Sequence, residues 1–460
     1  MSKMFKLTVG LVFLIVSSIS ATYAQNGQAL SLEECINLAM KNNSELRTAV
    51  YEVDRAGAGV KGSYSGVLPR ITTSFQTGRF IQGDRTLLMD VPVGFDSTTN
   101  TAIFEQTEIN QPGAARNSHF ARITYSQTLY DFGRSWNAIK QANASYNAWS
   151  DNLTSVRHSV YSIVKQRYFE LLKAEKLEQE YIEAVERSKE QLKRTQSMYE
   201  IGSVAQIDVY KAEVVLATDE INLINQRNIV EIARGNLNVA MGRDPETPIQ
   251  IIEVETDVKP VRHSLDEAIS IAEQNNPDLR RFKNEMNSSE YGMKIAKAAY
   301  WPSIGFSVSY SRNNTALNKV YGELGKNFSV TVGAQLDFSI FNGMADRAEV
   351  DRQSANYSIA KENWLNRKRN IRLEVKQAYL NLKAWQEISK INERSLRAAE
   401  EDFRLAQERY RVGAGTLLEV TDAQVALTRA RVTLVSAKYN AMIAQAQLEV
   451  AMGMVENEQF

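Results

Sequence analysis

Two long segments without glycine or proline constrain this chain most. One lies between Gly133 and Gly202, and the other covers 344–412. Proline removes a backbone donor from a helix and glycine weakens helix interiors, so their absence predicts two continuous helices. At about 1.5 Å of rise per residue each helix would be roughly 100 Å long, far beyond the usual length in globular domains.

The turn that follows each long segment occurs twice. Residues 199–213 read YEIGSVAQIDVYKAE and residues 410–424 read YRVGAGTLLEVTDAQ. Their ungapped overlay continues to Ala-Met-Gly at 240–242 and 451–453. We therefore predict one long helical hairpin present in two copies, at 134–241 and 344–452.

The return arm of each hairpin has an apolar seam. In the second copy apolar residues recur at spacings of three and four over more than four heptads, which is the pattern of a coiled coil. The positions are Val420, Ala423, Leu427, Ala430, Leu434, Ala437, Ala441, Ala444, Leu448 and Ala451. In the first copy Asp219 and Gln226 interrupt the corresponding seam.

A second repeated segment precedes each hairpin. Residues 31–69 and 264–302 align without gaps, and each begins with Ser-x-x-Glu, a capping box that starts a helix. After the proline that ends each segment, the period changes from 3.6 to two. Apolar and polar side chains alternate strictly along 328–340, which predicts a strand with one apolar and one polar face.

Two strands are predicted in each repeat, at about 70–81 and 118–130 and at about 303–311 and 328–341. The first repeat is 22 residues longer here, and its polar residues 82–117 are predicted to form a long loop. The repeats span 25–242 and 264–453. A linker with a small strand, 243–263, joins them, and a tail follows at 454–460.

Residues 1–24 combine early lysines, a short apolar run and small residues before Gln25, as in a secretory signal peptide. The alternative, a membrane anchor, needs about 20 apolar residues, and this run is shorter.

Four strands with an apolar face leave unpaired edges in a bilayer, so they need closure into a barrel. Since the smallest barrel has about eight strands, several chains must share one.

Charge and composition argue against other classes of function. The formal net charge is zero, so no nucleic acid partner is expected. The single cysteine, Cys35, allows no internal disulfide. The three histidines are scattered without metal-ligand spacing, and no catalytic motif is present. We therefore expect that the protein binds no metal or cofactor and has no enzymatic activity.

The order and duplication of these motifs resemble the TolC-like outer-membrane efflux channel family over essentially all of 25–460. The resemblance also includes the Asn-Asn-Pro-Asp-Leu start at 275–279 and the aromatic-glycine strand exits at 130–133 and 341–343. It implies a mixed α/β membrane protein with an internal tandem repeat. Three chains with four strands each would share one transmembrane β-barrel that continues into a long α-helical coiled-coil tunnel.

The resemblance implies a homotrimeric exit duct in the outer membrane of a Gram-negative bacterium, extending into the periplasm. The duct would conduct passively in a tripartite efflux or type I secretion system. Its expected partners are a periplasmic adaptor (membrane fusion) protein, an inner-membrane pump of the RND, ABC or MFS type, and outer membrane lipid. The substrate and the type of pump stay open.

Matching residue by residue, the resemblance places a periplasmic constriction at the second turn. Glu419 and Asp422 are three residues apart on one helix face, and Asp208 matches Glu419 in the first copy. Tyr410 is expected to bridge neighbouring helices there. Three chains would gather six carboxylates, which attract cations. Gly415 stands where some relatives have a basic residue, so the closing contacts of the family do not carry over intact. The alternative is that both acids only cap a solvated helix start.

Two further sets of residues complete the expected sites. The hairpin turns are expected to dock the adaptor, through Gly202, Ser203, Gly413, Ala414 and Gly415. Aromatic residues at the strand ends favour membrane interfaces, which predicts a belt that includes Tyr130, Trp301 and Phe341. Core packing between strands and helices is the alternative for these aromatic side chains.

A periplasmic coiled-coil adaptor is the main alternative function. Strands 303–311 and 328–340 would then belong to a soluble β domain, which buries its apolar face against a second layer. The duplication of the whole plan favours a symmetric tube instead. A secreted enzyme is a third interpretation, and no catalytic constellation supports it.

Overall fold

The computed structural model describes residues 29–254, 263–322 and 324–455. The predicted signal peptide, residues 255–262 of the predicted linker and residues 456–460 of the predicted tail lie outside these ranges. Within them, a small antiparallel sheet stands at one end of a long helical layer.

The two repeats contain corresponding elements in the same order. The first has α1 (Leu32–Asn42), α2 (Ser44–Ser63), β1 (Arg70–Gln82), β2 (Arg85–Asp96), β3 (Thr101–Gln111), β4 (Ala114–Tyr130), α3 (Arg134–Glu200) and α4 (Gln206–Ala240). The second has α5 (Leu265–Asn275), α6 (Pro277–Lys297), β5 (Ser303–Asn314), the short α7 (Asn318–Tyr321), β6 (Phe328–Asp337), α8 (Ala345–Arg411) and α9 (Leu417–Ala451).

The main sheet is antiparallel in the order β1-β4-β5-β6. Its register places the apolar faces of all four strands on one side of the sheet. One cross-strand row contains Ile71, Tyr125, Val308 and Val332. The alternating serines and threonines form the opposite side, so β1 and β6 are the free edges of a sheet with one apolar face.

The prediction of a loop at 82–117 is wrong. β1 and β4 stay paired out to Gln82 and Ala114, and the residues between them form the β2–β3 hairpin. The tip of this hairpin contains Asn100, which has a φ of 53°, and a bulge interrupts the register between Pro92 and Gly94. Threonine and the interspersed Val, Ile and Phe residues of this segment favour strands, so its polar composition alone did not indicate a loop.

The strands pass into the long helices through left-handed residues. Gly133, with a φ of 82°, precedes α3, while Gly343 and Met344, at 69° and 71°, precede α8. This turn begins before Phe341, so β6 ends at Asp337 and the predicted strand end at 341 is wrong. The chain direction changes within these residues from the sheet into the helical layer.

The long helices α3 and α8 extend through the whole helical layer. Near the sheet the helices lie in the order α2-α3-α6-α8, and farther away the order is α4-α3-α9-α8. The hairpin arms α4 and α9 thus continue the positions of α2 and α6. Among the described helices, none is long and apolar enough to cross a membrane.

The largest core lies where the two halves of the helical layer meet. There α1 packs on α3, while α5 packs on α8 in a separate, smaller core. The fully buried Tyr168 donates its hydroxyl to the carbonyl oxygens of Ile252, at 2.6 Å, and Leu30, at 3.2 Å. Leu30 also forms a parallel bridge with Ile251, at the position of the predicted small strand. Tyr168 therefore holds the segment between the repeats against α3.

The seam of α9 is buried at every predicted position except Ala451, which is half-buried. The polar residues in the α4 seam have partners. The Gln226 amide donates to the Ala174 carbonyl oxygen at 2.9 Å, and the Asp219 carboxylate accepts from the Ser188 hydroxyl. Gln424 of α9 donates to the same Ser188 oxygen at 2.7 Å. These contacts form a polar layer between the two hairpins.

Candidate functional site at the hairpin tips

The two hairpin turns have the same backbone structure. Gly202 and Gly413 both have a φ of 74° and follow the last helical turn. The N–H groups of Ser203 and Ala414 each return to a carbonyl five residues earlier, both at 2.8 Å, as in a Schellman motif. A left-handed conformation favours glycine, which explains why both turn sequences have a glycine at this position. Gly202, Ser203, Gly413 and Ala414 are exposed, and Gly415 is half-buried.

Tyr410 joins the second hairpin to the first. Its ring is buried in a small cluster with Leu417 and Val420. Its hydroxyl faces the hydroxyl of Thr195 on α3 and the carboxylate of Asp208 on α4, without a hydrogen bond of regular geometry. Burial raises the pKa of Tyr410, and the charge of Asp208 acts in the same direction. The structure thus brings together two of the predicted constriction residues, Tyr410 and Asp208.

The acids of the second turn have different surroundings. The Thr416 hydroxyl accepts from the Glu419 N–H at 3.3 Å and caps α9. The Glu419 carboxylate lies 3.6 Å from the Arg409 guanidinium, which also donates to the Ala414 carbonyl oxygen at 3.2 Å. Asp422 is exposed. Glu419 is therefore both a cap-adjacent acid and one member of an ion pair across the turn.

Arg409 is a site residue that sequence reasoning missed. Gly415 had suggested that the second turn lacks a basic group, but Arg409 supplies one from the preceding helix. A Cβ at Gly415 would lie 3.1 Å from the Arg409 Cβ and 3.2 Å from Glu419 Oε2. Gly415 therefore leaves room for the Arg409–Glu419 pair. The available signal was a basic residue in the last turn of α8, where the helix dipole favours it.

A network of charges connects the hairpins farther from the tips. The Arg431 guanidinium on α9 lies 2.7 Å from Glu183 and 3.6 Å from Glu180, both on α3, and 3.7 Å from Glu400 on α8. Burial raises the pKa of Glu180, and the nearby Arg431 opposes this shift. Sequence reasoning did not identify this network, because its members are far apart in the chain.

The aromatic residues at the strand ends are only partly brought together. The Trp301 and Phe132 rings stack with centroids 5.0 Å apart, and Tyr130 meets Phe132 edge-on at 4.8 Å. Phe132 therefore joins two of the predicted aromatic residues. Phe341 is exposed beyond the end of β6 and is not a member of this stack.

The helical layer has exposed apolar stripes along both of its outer helices. On α4 the exposed apolar residues recur mostly at spacings of three, four or seven. They are Ile207, Tyr210, Val214, Ile221, Ile224, Ile229, Ile232 and Val239. On α8 they comprise Ile359, Leu373, Leu380, Ile388, Ile391 and Leu405. Such periodic stripes are typical of helices that pack on a further helix.

No group of His, Cys, Asp and Glu side chains that could hold a metal ion occurs in the described ranges. Burial raises the pKa of the Cys35 thiol to about 12, with a smaller contribution from Glu34, so this thiol is protonated at neutral pH.

Comparison with known proteins identifies relatives over most of the chain. The model of the outer membrane efflux protein family matches residues 35–243 and 268–454. The Outer membrane protein TolC of Escherichia coli is 23% identical, over 100% of this chain and 88% of its own length. The Proteases secretion protein PrtF of Dickeya chrysanthemi is 23% identical, over 82% of this chain and 79% of its own.

The fold is shared with a solved structure as well. The crystal structure of the Campylobacter jejuni CmeC outer membrane channel has a TM-score of 0.78 to this chain, at 19% identity. The match covers 92% of this chain and 85% of the CmeC chain.

Proposed function

The chain belongs to the outer membrane efflux protein family, and from this membership we propose that three copies form an exit duct across the outer membrane. The duct conducts substrates passively from the periplasm or from an inner-membrane pump to the outside. It serves a tripartite efflux or type I secretion system. The efflux named in the family's description supports the first kind of system, and the protease secretion named for the PrtF relative supports the second.

One observation supports this proposal most strongly. The edge strands of the sheet lack strand partners, and the outer helices of the layer expose apolar stripes. β1 and β6 leave their outer backbone groups without a strand partner within the described sheet. In hydrocarbon each unpaired group costs several kcal/mol, so the sheet needs closure. Four strands are fewer than the smallest known barrel needs, and three copies supply twelve.

The helices support the same assembly. The apolar stripes on α4 and α8 lie at opposite ends of one layer, so α4 of one copy meets α8 of the next. Such a head-to-tail contact produces a closed ring when the rotation between copies closes. The same rotation pairs β1 with β6 of the neighbouring copy. Twelve strands thus continue into a tunnel of helices.

The hairpin tips form the gate of this duct. Tyr410 and Asp208 hold the second hairpin against the first, while Glu419 and Asp422 of three copies form a ring of six carboxylates. Arg409 partly offsets the charge of Glu419, so Asp422 contributes the larger free charge. A ring of carboxylates favours cations in a narrow pore.

The turns at Gly202–Ser203 and Gly413–Gly415 dock the adaptor protein, which connects the duct to an RND, ABC or MFS pump. The exposed Ile201 and Val412 beside them offer apolar contacts to such a partner. Tyr130, Trp301 and Phe341 lie at the membrane interface, where aromatic rings are favoured. Their position at the strand-to-helix junction supports this placement.

A periplasmic adaptor function is less compatible with the sheet. A soluble β domain buries its apolar face against a second layer. Here Ile71, Val308 and Val332 share one face, and both Ile71 and Val332 are more than half exposed, at 72% and 62%. A lipid environment satisfies this face without a further protein layer.

We expect Ile221→Glu to disrupt the trimer. The substitution places a carboxylate in each of three apolar α4–α8 contacts, where an unpaired buried charge costs several kcal/mol. The ratio of monomer to trimer in detergent should rise at least about tenfold, measured by light scattering after size exclusion. Asn222→Glu adds the same charge one residue farther round the helix and should leave the trimer intact. Equal effects of both variants would contradict this interface.

A further inference from the structure

The β2–β3 hairpin is an addition to the repeating plan, because the second repeat has a short loop at this place. It follows β1 and β4 beyond their last pair, Gln82 with Ala114, so it projects from the end of the sheet opposite the long helices. The Gly113 N–H donates to the Asp84 carboxylate at its base. Among the described elements, none packs extensively on β2 or β3.

The outer half of this hairpin, residues 92–104, has a polar turn flanked by exposed apolar side chains. Val93, Phe95, Ile103 and Phe104 are 55%, 63%, 50% and 60% exposed. Asp96 is the only charged residue in this half, and its carboxylate accepts hydrogen bonds from Thr98 and Thr99 within the turn. The register puts Phe95 and Phe104 on one face of the hairpin and Ile103 on the other. An isolated two-stranded hairpin is marginally stable in water, so both faces of this half are candidates for contact.

The inner half of the hairpin has three acids beside exposed apolar side chains, Leu88, Met89 and Ile109. Asp90, Glu105 and Glu108 lie there, whereas Arg85 at the base donates to Gln111 at 2.6 Å. Anionic lipid headgroups attract basic segments and repel acidic ones, so this hairpin is unsuited to lie on the membrane surface. The outer half, nearly uncharged, fits another uncharged apolar surface.

The loop that corresponds to this hairpin in the second repeat is folded back onto the sheet. The Arg312 guanidinium donates to the carbonyl oxygens of Lys319, Gly322 and Lys326, at 3.0, 2.8 and 2.9 Å. The Tyr321 ring lies 5.5 Å from that of Phe75 on β1. Short loops held in this way alternate with long hairpins around the rim of a trimer, so only the hairpins extend beyond the rim.

The dimensions allow the hairpins to meet. With strands about 4.8 Å apart and tilted by about 40°, a twelve-stranded barrel has a radius of roughly 12 Å. Each hairpin strand of 11 or 12 residues is about 36 Å long, or three times that radius. We propose that the outer halves of the three hairpins pack against one another and form a cap over the extracellular exit. This proposal rests on the proposed trimeric duct.

Cross-linking tests this contact in the full-length trimer. Phe104→Cys in the outer half is compared with Glu108→Cys in the inner half, and the native Cys35 is fully buried and serves as the unreactive background. With a short bismaleimide, at least half of the Phe104→Cys chains should become covalent dimers. Fewer than one tenth of the Glu108→Cys chains should do so. Labelling of Phe104→Cys with a bulky maleimide should be at least fivefold slower than that of Glu108→Cys.

Two results would overturn the cap. One is a trimeric, conducting Phe104→Cys protein that cross-links no better than Glu108→Cys and is labelled as fast. The other is a cross-linked Phe104→Cys product in whole cells whose mass shows that it contains a different protein. This result would mean that the surface binds a foreign partner. A wild-type chain that forms no trimer would instead refute the exit duct itself, together with the cap.

Discussion

Replacing Glu419 and Asp422 together with alanine is expected to abolish the cation selectivity of the channel and to raise its conductance at least twofold. In the proposed trimer, the double substitution removes six carboxylates from the proposed ring at its narrow end. The charge of such a ring favours cations and its side chains narrow the pore, so alanine at both positions lowers the selectivity and widens the path. The permeability ratio of potassium to chloride, measured from reversal potentials in planar bilayers, should approach one.

Two further variants make this result specific. Glu285→Ala with Glu290→Ala removes as many carboxylates from α6, far from the tips, and should change neither property. Arg409→Ala removes the positive charge that lies 3.6 Å from Glu419 and should increase cation selectivity. If selectivity is the same in the wild type and in the Glu419/Asp422 variant, these acids only cap a helix, and the constriction lies elsewhere.

Gly242→Ala is expected to destabilise the fold far more than Gly202→Ala. Both glycines have a left-handed backbone, with φ of 73° and 74°, and alanine there costs about 1–2 kcal/mol. A Cβ at Gly242 would also lie 2.6 Å from the carbonyl oxygen of Asn42, whereas nothing lies within 4 Å of one at Gly202. Relieving that overlap requires a backbone shift, which costs about 1–3 kcal/mol more.

Thermal unfolding of the detergent-solubilised protein measures this difference. The free energy of unfolding should fall by about 2–5 kcal/mol in Gly242→Ala and by no more than about 2 kcal/mol in Gly202→Ala. Gly453→Ala should resemble Gly242→Ala, because its Cβ would lie 2.9 Å from the Asn275 carbonyl carbon. Equal losses at Gly202 and Gly242 would mean that the contact with the α1–α2 junction has little influence on stability.

The same contact explains two motifs that the sequence shows but does not connect. The second asparagine of each Asn-Asn pair donates to the backbone of the Ala-Met-Gly end of the return helix. Asn43 reaches the Ala240 carbonyl oxygen at 3.1 Å, and Asn276 reaches that of Ala451 at 3.4 Å. These partners are 197 and 175 residues apart, so no local pattern indicates the pairing.

Periodicity allowed the helices and most strands to be predicted, because burial on one face repeats with the period of the element. The same reasoning failed at 82–117, where β2 and β3 are exposed on both faces and leave no strict alternation. At the tips, the duplicated turn and the family resemblance placed Tyr410, Asp208 and Glu419 at a constriction, which stays a prediction. It did not identify Arg409, whose partner lies across the turn, or the Arg431 network, which depends on the packing of three helices.

Single-channel recording of the purified wild-type protein in a planar bilayer tests the exit duct most directly. The proposed trimer should insert from detergent and produce uniform, cation-selective conductance steps, with a mass of three chains in the same preparation. A protein that is soluble without detergent and never inserts would contradict the duct and favour a periplasmic adaptor. Insertion with steps of uniform size and the predicted selectivity would establish that these chains enclose a continuous aqueous path.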